Sequence, residues 1–200
     1  MNTTYKTKNQ ITEGVIWKQL LIFFFPIMVG TLFQQLYNTV DAIIVGQFVG
    51  KQALASVGGS SAVLTNFVIE FFTGLSAGAT VVISQFYGAR DLKRLSKGLH
   101  TAYAFSIAAS ILISVLGWFA TPSLLHLLKT PADVIPDSIL YLRIYFLGII
   151  FTLIYNMGSS IMRAVGDSRR PLMYLVVCCV INIVLDIVLV IGFRMGIAGA

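Results

Sequence analysis

Residues 172–193 read LMYLVVCCVINIVLDIVLVIGF, an apolar run long enough to cross a lipid bilayer as one helix. Such a helix needs about 20 mostly apolar residues. Similar runs lie upstream, at residues 17–42, 55–84, 99–120 and 138–162, and residues 196–200 resemble the beginning of another helix. The sequence therefore predicts an all-α membrane protein, a multi-spanning helical bundle with five full transmembrane helices and the start of a sixth.

The composition agrees with a lipid environment. Apolar types make up 57% of the 200 residues and charged types 11%, against roughly 45–50% and about 25% in soluble proteins. Such a chain cannot cover its surface with polar groups, which excludes a cytosolic enzyme and a disordered tail. The net charge of +6 comes from basic residues at the edges of apolar runs, so we expect no nucleic-acid partner.

The same basic residues predict the orientation of the chain, because Lys and Arg are enriched in cytoplasmic connections. If successive spans alternate in direction, most of the 14 basic residues fall on the side of the N-terminus. They are Lys6, Lys8, Lys18, Arg90, Lys93, Arg94, Lys97, Arg163, Arg169 and Arg170. We therefore expect a cytoplasmic N-terminal segment at residues 1–16 and a transmembrane unit at residues 17–200, in the plasma (inner) membrane.

Three acidic side chains fall inside the predicted spans: Asp41, Glu70 and Asp186. A carboxylate at membrane depth costs at least about 2.5 kcal/mol, so it persists only if it is neutralised, paired or hydrated. None of the Lys and Arg residues lies clearly within a span, since Arg143 and Arg163 fall near predicted helix ends. Protonation or binding of a cation is the simplest relief.

The polar residues share helix faces, because their spacings of three and four residues match the helical repeat. One face carries Gln34, Tyr37, Asn38 and Asp41, and another carries Asn182 and Asp186. At about 1.5 Å per residue, Asp186 lies roughly 21 Å from the start of its span, and both carboxylates belong to the outer half of the membrane. Sharing one pocket would favour the protonated form of at least one of them. Two carboxylates and an amide oxygen would also suit a sodium ion.

Structural interpretations of these residues remain open. Asp41 could be an interfacial residue at a helix end, Asn182 could form an ordinary hydrogen bond between helices, and Glu70 could lie where a long helix bends or line a cavity. Pro26 removes a hydrogen bond from the first span and favours a kink. The glycines of residues 74–78 favour close helix packing.

Several short motifs, taken in order, resemble one known family. They are FP at 25–26, QQLYNTVD at 34–41, Gly46, ALASVG at 53–58, GLSAG at 74–78, QFYGA at 85–89, RAVGDSRRP at 163–171, NIVLD at 182–186 and GIAGA at 196–200. The chain resembles the N-terminal part of multidrug and toxic compound extrusion (MATE) transporters over nearly its whole length. Each motif is weakly specific, whereas their order and spacing together are fairly specific.

The resemblance implies twelve transmembrane helices in two lobes, of which this chain would be the first, and export of amphiphilic or cationic compounds in exchange for protons or sodium. It places the cation pocket at Asp41, Asn182 and Asp186, adds Asn156 to the pocket lining, and assigns helix bending to Pro26. About half of a family member, including the C-terminal lobe, would be missing. Glu70 matches no family motif.

The sequence therefore favours a secondary active multidrug antiporter that is no enzyme and needs no cofactor beyond the coupling ion, H⁺ or Na⁺. Gln34, Tyr37, Asn38, Asn156 and Glu70 are the expected pocket lining, and the bilayer, small amphiphilic substrates and a C-terminal lobe are the expected partners. An exporter of lipid-linked oligosaccharides, a non-transporting membrane scaffold and an intramembrane aspartyl protease are alternatives. The last lacks the Gly-x-Gly-Asp motif.

Overall fold

The structure, a computed structural model, describes residues 15–199, and within that range it contains helices and short connections only. The helices are α1 (Ile16–Ile44), α2 (Lys51–Gly58), α3 (Ser60–Gly88), α4 (Leu92–Leu127), α5 (Ile135–Ala164) and α6 (Arg169–Asp186). Short π-helical segments at Val45–Val49 and Ile187–Gly192 extend α1 and α6. The expected cytoplasmic segment, with Lys6 and Lys8, lies almost wholly outside the described residues.

Five helical segments are long and apolar enough to cross a membrane, as the hydropathy of the sequence predicts. They are Ile16–Val49, Lys51–Gly88, Leu92–Leu127, Ile135–Ala164 and Arg169–Gly192. Large apolar side chains cover their outer surfaces, and Phe119 and Phe151 are each 76% exposed. The prediction of a multi-spanning helical membrane protein is confirmed.

The helices extend beyond the apolar runs that predict them, and α4 is the clearest case. The run predicts a span at residues 99–120, whereas α4 begins at Leu92 because Asp91 caps it: the Asp91 carboxylate accepts a hydrogen bond from the backbone N–H of Arg94 at 3.0 Å. Lys93, Arg94 and Lys97 therefore lie on the first turns of a helix rather than in a loop.

At its other end α4 continues through Pro122 to Leu127, where a connection was expected from residue 121 onward. Pro122 lacks a backbone N–H and leaves the carbonyl one turn before it without its usual donor. The neighbouring Thr121 hydroxyl donates to the carbonyl of Gly117. Beyond Leu127, a short connection leads into α5 at Ile135.

The long second span is interrupted at Gly59, which separates α2 from α3. A Cβ atom at this position would lie 2.5 Å from the carbonyl oxygen of Ala55. The structure locates the interruption of this run at the Gly58–Gly59 pair, whereas Gly74 and Gly78 lie within the continuous helix α3.

Helices α3, α4 and α5 form the main bundle, around a core of Phe72, Leu125, Leu142, Phe146, Ile149 and Leu153. Gly117 allows α4 to approach α5 closely, since a Cβ there would lie 2.5 Å from the ring of Phe146. The expected close packing at Gly74 and Gly78 does not occur among residues 15–199: a Cβ at either position would have no neighbouring atom of these residues within 4 Å.

Helices α1 and α6 form a separate pair. This pair joins the main bundle chiefly beyond the C-terminal ends of its two helices, where Val45, Ala53 and Ile197 pack with Tyr141. Ile197 belongs to a 3-10 turn at Gly196–Gly199. The sixth helix expected near residue 196 is represented by this turn, and Ala200 lies outside the described residues.

Candidate functional site

Helices α1 and α6 run in the same direction and lie side by side. A Cβ added at the buried Gly30 of α1 would lie 3.3 Å from Leu175 of α6 and 3.6 Å from Leu172. Asp41 and Asp186 follow Gly30 and Leu175 by equal numbers of residues. Two parallel helices in this register bring the two carboxyl groups to the same depth, near the ends where the pair joins the main bundle.

The carboxyl groups of Asp41 and Asp186 interact directly, at hydrogen-bonding range and electrostatically. Asp186 is 3% exposed and Asp41 is half-buried. Two carboxyl groups can form a hydrogen bond only if one of them carries a proton, because a carboxylate has no donor. The geometry therefore suits one proton shared by two acids.

Three oxygen atoms at this pair are buried and have no hydrogen-bond partner among the described residues. They are Oδ1 of Asp41, Oδ1 of Asn182 and Oδ2 of Asp186. Buried acceptors without donors are costly, and they are uncommon in folded proteins. An electropositive species, either a proton or a cation with a preference for oxygen ligands, would relieve that cost.

Three tyrosines, one from α1 and two from α5, lie near the acidic pair. Tyr37 and Tyr141 both interact electrostatically with Asp41, and Tyr145 interacts with both tyrosines. The rings of Tyr141 and Tyr145 are stacked, with centroids 6.5 Å apart. The hydroxyl of Tyr145 is buried and has no partner among residues 15–199. The stacked rings of Tyr141 and Tyr145 form an aromatic wall beside the acidic pair.

The sequence reasoning did not identify Tyr141, Tyr145 or Tyr155. Tyr155 interacts electrostatically with Tyr37, and its hydroxyl donates to the carbonyl of Pro171 at 3.5 Å. The available signal was the four-residue spacing of Tyr141 and Tyr145, which puts both on one face of α5. That spacing does not indicate which neighbour the face meets.

The other expected site residues are distributed more widely. Gln34 and Asn38 are exposed on α1, and the Gln34 side chain hydrogen-bonds to Tyr37. Asn156 is half-buried on α5, next in sequence to Tyr155. Glu70 is exposed on α3, which packs against α4 and α5, and it is not among the groups that interact with Asp41.

Pro26 is buried within α1, and the helix continues through it. The missing N–H of a proline leaves the helix one hydrogen bond short at this turn. Pro26 lies four residues before Gly30, where α1 meets α6. The weak point of α1 is therefore next to its contact with α6 and far from the acidic pair.

Arg143 lies on α5, about 12 Å along the helix from Ile135 at 1.5 Å per residue. Its guanidinium lies over the ring of Trp118 on α4, 5.2 Å from the centroid. This arginine is therefore engaged with α4 instead of the acidic pair.

Both acid-bearing helices change their hydrogen-bonding pattern just past the acids. The segment Ile187–Gly192 follows Asp186 directly, and Val45–Val49 begins one turn after Asp41. Here backbone N–H groups bond five residues back, as from Gly50 to Val45 at 3.0 Å and from Phe193 to Val188 at 2.9 Å. Such π-helical turns are rare in proteins as a whole, and those that occur are often found at functional sites.

No group of three His, Cys, Asp or Glu residues that could hold a metal ion occurs in the part of the chain that the structure describes. A sodium ion at the acidic pair would be held by the two carboxylates together with the amide oxygen of Asn182. These are hard oxygen ligands, the class that hard cations prefer.

Comparison with known proteins places this chain in a family. The MatE family model matches residues 26–188. The "Probable multidrug resistance protein YpnP" of Bacillus subtilis (strain 168) is 36% identical over 189 residues, covering 94% of this chain and 42% of that protein. The chain thus spans less than half the length of this curated relative.

Solved structures agree. A multidrug resistance MATE family transporter of the MOP superfamily, in an outward-facing conformation, matches with a TM-score of 0.88 and 27% identity over 97% of this chain and 43% of that one. A MATE in the bent conformation matches with a TM-score of 0.87 and 27% identity over 96% of this chain and 43% of that one. The chain belongs to the MATE family and is a multi-pass membrane protein.

Proposed function

We propose that this chain is the first half of a multidrug efflux antiporter that exports amphiphilic or cationic compounds in exchange for protons or sodium ions. In this proposal the chain lies in the plasma membrane, and its N-terminus faces the cytoplasm. The relative YpnP is named as a probable multidrug resistance protein. The observation that carries the proposal is the direct contact of Asp41 with Asp186, with three unpartnered oxygen atoms around it.

The pair couples ion and drug through competition for negative charge. A proton or sodium ion at the pair removes one of its two negative charges, and the aromatic wall of Tyr141 and Tyr145 then has less negative charge beside it to help hold a lipophilic cation. When the ion leaves, the negative charge returns and favours the cationic drug, which also binds the tyrosine rings through cation–π contacts. Coupling requires that ion and drug prefer different states of the protein.

Helix α1 transmits the change. Neutralising Asp41 changes its interactions with Asp186 on α6 and with Tyr37, and α1 then bends at Pro26, where it lacks a hydrogen bond. One solved relative is described as being in a bent conformation. Bending next to the Gly30 contact would alter the packing of α1 on α6 and, through it, the space beside the aromatic wall.

The test is ion-driven efflux of a fluorescent lipophilic cation from proteoliposomes that contain the protein as the cell makes it. Asp41→Asn and Asp186→Asn remove one titratable group each while keeping the shape of the side chain. We expect each to lower gradient-driven efflux by about tenfold or more, because each removes one of the two groups that bind the coupling ion. A pH gradient and a sodium gradient, imposed separately, identify the ion.

The matched control is Asp133→Asn, which removes the same charge from an exposed residue between α4 and α5. It should transport at the unmodified rate. Unimpaired ion-coupled efflux by Asp41→Asn would show that the acidic pair has no role in coupling.

A further inference from the structure

A second site lies on the outer face of the main bundle, away from the acidic pair. Helices α3 and α4 border a groove of about 490 Å³. Its floor is the buried cluster of Ile83, Ala102 and Met157. Its remaining walls are mostly apolar, and Val82 and Phe105 are 45% and 50% exposed.

Two cations border this apolar groove at one end. Arg94 and Lys97 lie three residues apart on the first turns of α4, and both line the groove. Nε of Arg94 is held by Asp91 Oδ2 at 3.3 Å, which orients the guanidinium. Because a guanidinium has five N–H donors, the others remain able to bind an anion.

The groove extends from the membrane surface into one leaflet. From Arg94 to Phe105, α4 rises about 16 Å at 1.5 Å per residue, and about 9 Å of that rise lies within the apolar run that begins at residue 99. Half of a hydrocarbon core of about 30 Å is about 15 Å, so the apolar part of the groove stays within one leaflet, and the cationic end lies where α4 begins, at the membrane surface. A ligand that fits must therefore be anionic at one end and carry a hydrocarbon chain at the other.

We propose that this groove binds an anionic phospholipid. The phosphate lies between Arg94 and Lys97, and one acyl chain lies along Gly78, Val82 and Phe105. In the proposed orientation the lipid belongs to the cytoplasmic leaflet, whose anionic lipids attract basic residues near the membrane surface. The site does not depend on transport, because its residues are separate from the acidic pair.

Space for the acyl chain comes from Gly78. A Cβ at this position would have no neighbouring atom within 4 Å in the described part of the chain, so a larger side chain would enter the groove without displacing any of the described helices. Gly74, one turn earlier on α3, is equally open but does not line the groove. The two glycines therefore provide a matched pair for testing occupancy.

The first experiment tests the charges. The full chain is reconstituted in phosphatidylcholine bilayers, and electron paramagnetic resonance measures the motionally restricted fraction of spin-labelled phosphatidylglycerol and of spin-labelled phosphatidylcholine. We expect a preference for phosphatidylglycerol that falls about fivefold for each cation removed in Arg94→Gln and Lys97→Gln. The control, Arg90→Gln with Lys93→Gln, removes two charges from the same end of α4 but none from the groove, and it should keep most of the preference.

The second experiment tests the groove itself. Gly78→Leu should displace the acyl chain and lower the restricted phosphatidylglycerol fraction, whereas Gly74→Leu should leave it unchanged. An equal loss of preference in the Arg94→Gln with Lys97→Gln variant and in the Arg90→Gln with Lys93→Gln control would show a diffuse basic surface instead of a site. An unchanged preference in Gly78→Leu, or no preference in the unmodified chain, would overturn the proposal, and the latter result is expected if protein covers this face.

Discussion

At the scale of single residues, the acidic pair depends on side chains that no helix-forming rule requires. Asp41 and Asp186 could be replaced by leucine without loss of helicity, and the replacement would remove two polar groups from the membrane. Their retention beside Asn182 therefore has a cost to stability, which the proposed binding of a proton or sodium ion offsets.

Tyr145 separates the contribution of an aromatic ring from that of its hydroxyl. Its ring stacks on Tyr141, while its hydroxyl is buried without a partner among residues 15–199. We expect Tyr145→Phe to change the free energy of unfolding by less than about 0.5 kcal/mol or to stabilise the protein, since no hydrogen bond within the described chain is lost. Tyr145→Leu should cost about 1 kcal/mol more through loss of the stacked pair.

Thermal unfolding in detergent, monitored by size-exclusion chromatography, measures the stability of both variants relative to the unmodified protein. A large loss of stability in Tyr145→Phe would mean that the hydroxyl has a bonding partner in the folded protein. In that case Tyr145 would contribute to the fold as well as to the aromatic wall.

Much of the acidic pair was predictable at this scale, and the aromatic wall was not. Intramembrane carboxylates are conspicuous in a sequence because few polar residues occur in spans, and helical spacing assigns Asn182 to the face of Asp186. The partners of Asp41 on α5 depend on how helices from distant parts of the chain pack, which spacing within one helix does not encode. For the same reason Glu70 could not be placed from the sequence, and the structure puts it on an exposed face of α3.

At the scale of elements, small residues decide how closely helices approach. Gly117 lets the Phe146 ring pack against the α4 backbone, while Gly148 on α5 faces open space. Gly117→Ala should destabilise the protein by about 1–3 kcal/mol, because a Cβ would overlap the ring. Gly148→Ala should stabilise it by about 0.5–1 kcal/mol through helix propensity alone.

The two substitutions are chemically identical and both lie inside transmembrane helices. Their difference in the midpoint of thermal unfolding therefore isolates packing from propensity. Equal shifts in the two variants would contradict the close approach of α4 to α5.

Helix ends were harder to predict than helices, for two physical reasons. Hydropathy detects the part of a helix that meets hydrocarbon, whereas α4 continues into the polar region because Asp91 caps its first turn. A proline in a sequence indicates a break, but α4 passes Pro122 with the Thr121 hydroxyl bonded to the preceding turn. Likewise, the spacing of Gly74 and Gly78 is typical of helix contacts, yet the face they form is open.

At the scale of the whole molecule, the arrangement of charges predicts the orientation in the membrane. In a variant whose two native cysteines are changed to serine, single cysteines are introduced at two exposed positions, Ser96 on the first turns of α4 and Ala132 between α4 and α5. We expect a membrane-impermeant maleimide to label Ala132→Cys on intact cells and Ser96→Cys only after the membrane is opened. The opposite pattern would reverse the proposed topology.

The bundle also predicts what this chain does by itself. Alternating access needs two units that move against each other, and the chain covers 42% of the relative YpnP. We expect proteoliposomes holding these 200 residues alone to show no gradient-driven drug movement, and co-reconstitution with the remaining part of such a transporter to restore it. Ion-coupled transport by the chain alone would require a different mechanism from the one proposed.

The π-helical segments beyond Asp41 and Asp186 have a further consequence. A hydrogen bond that spans five residues instead of four accommodates one extra residue in the helix. If that extra residue moved along the helix, the part of the helix that it passed would rotate by about 100° and shift by about 1.5 Å. The outer ends of both helices can thus rotate and shift together by a small amount. Such a rotation would change the direction of a side chain without unfolding the helix that carries it.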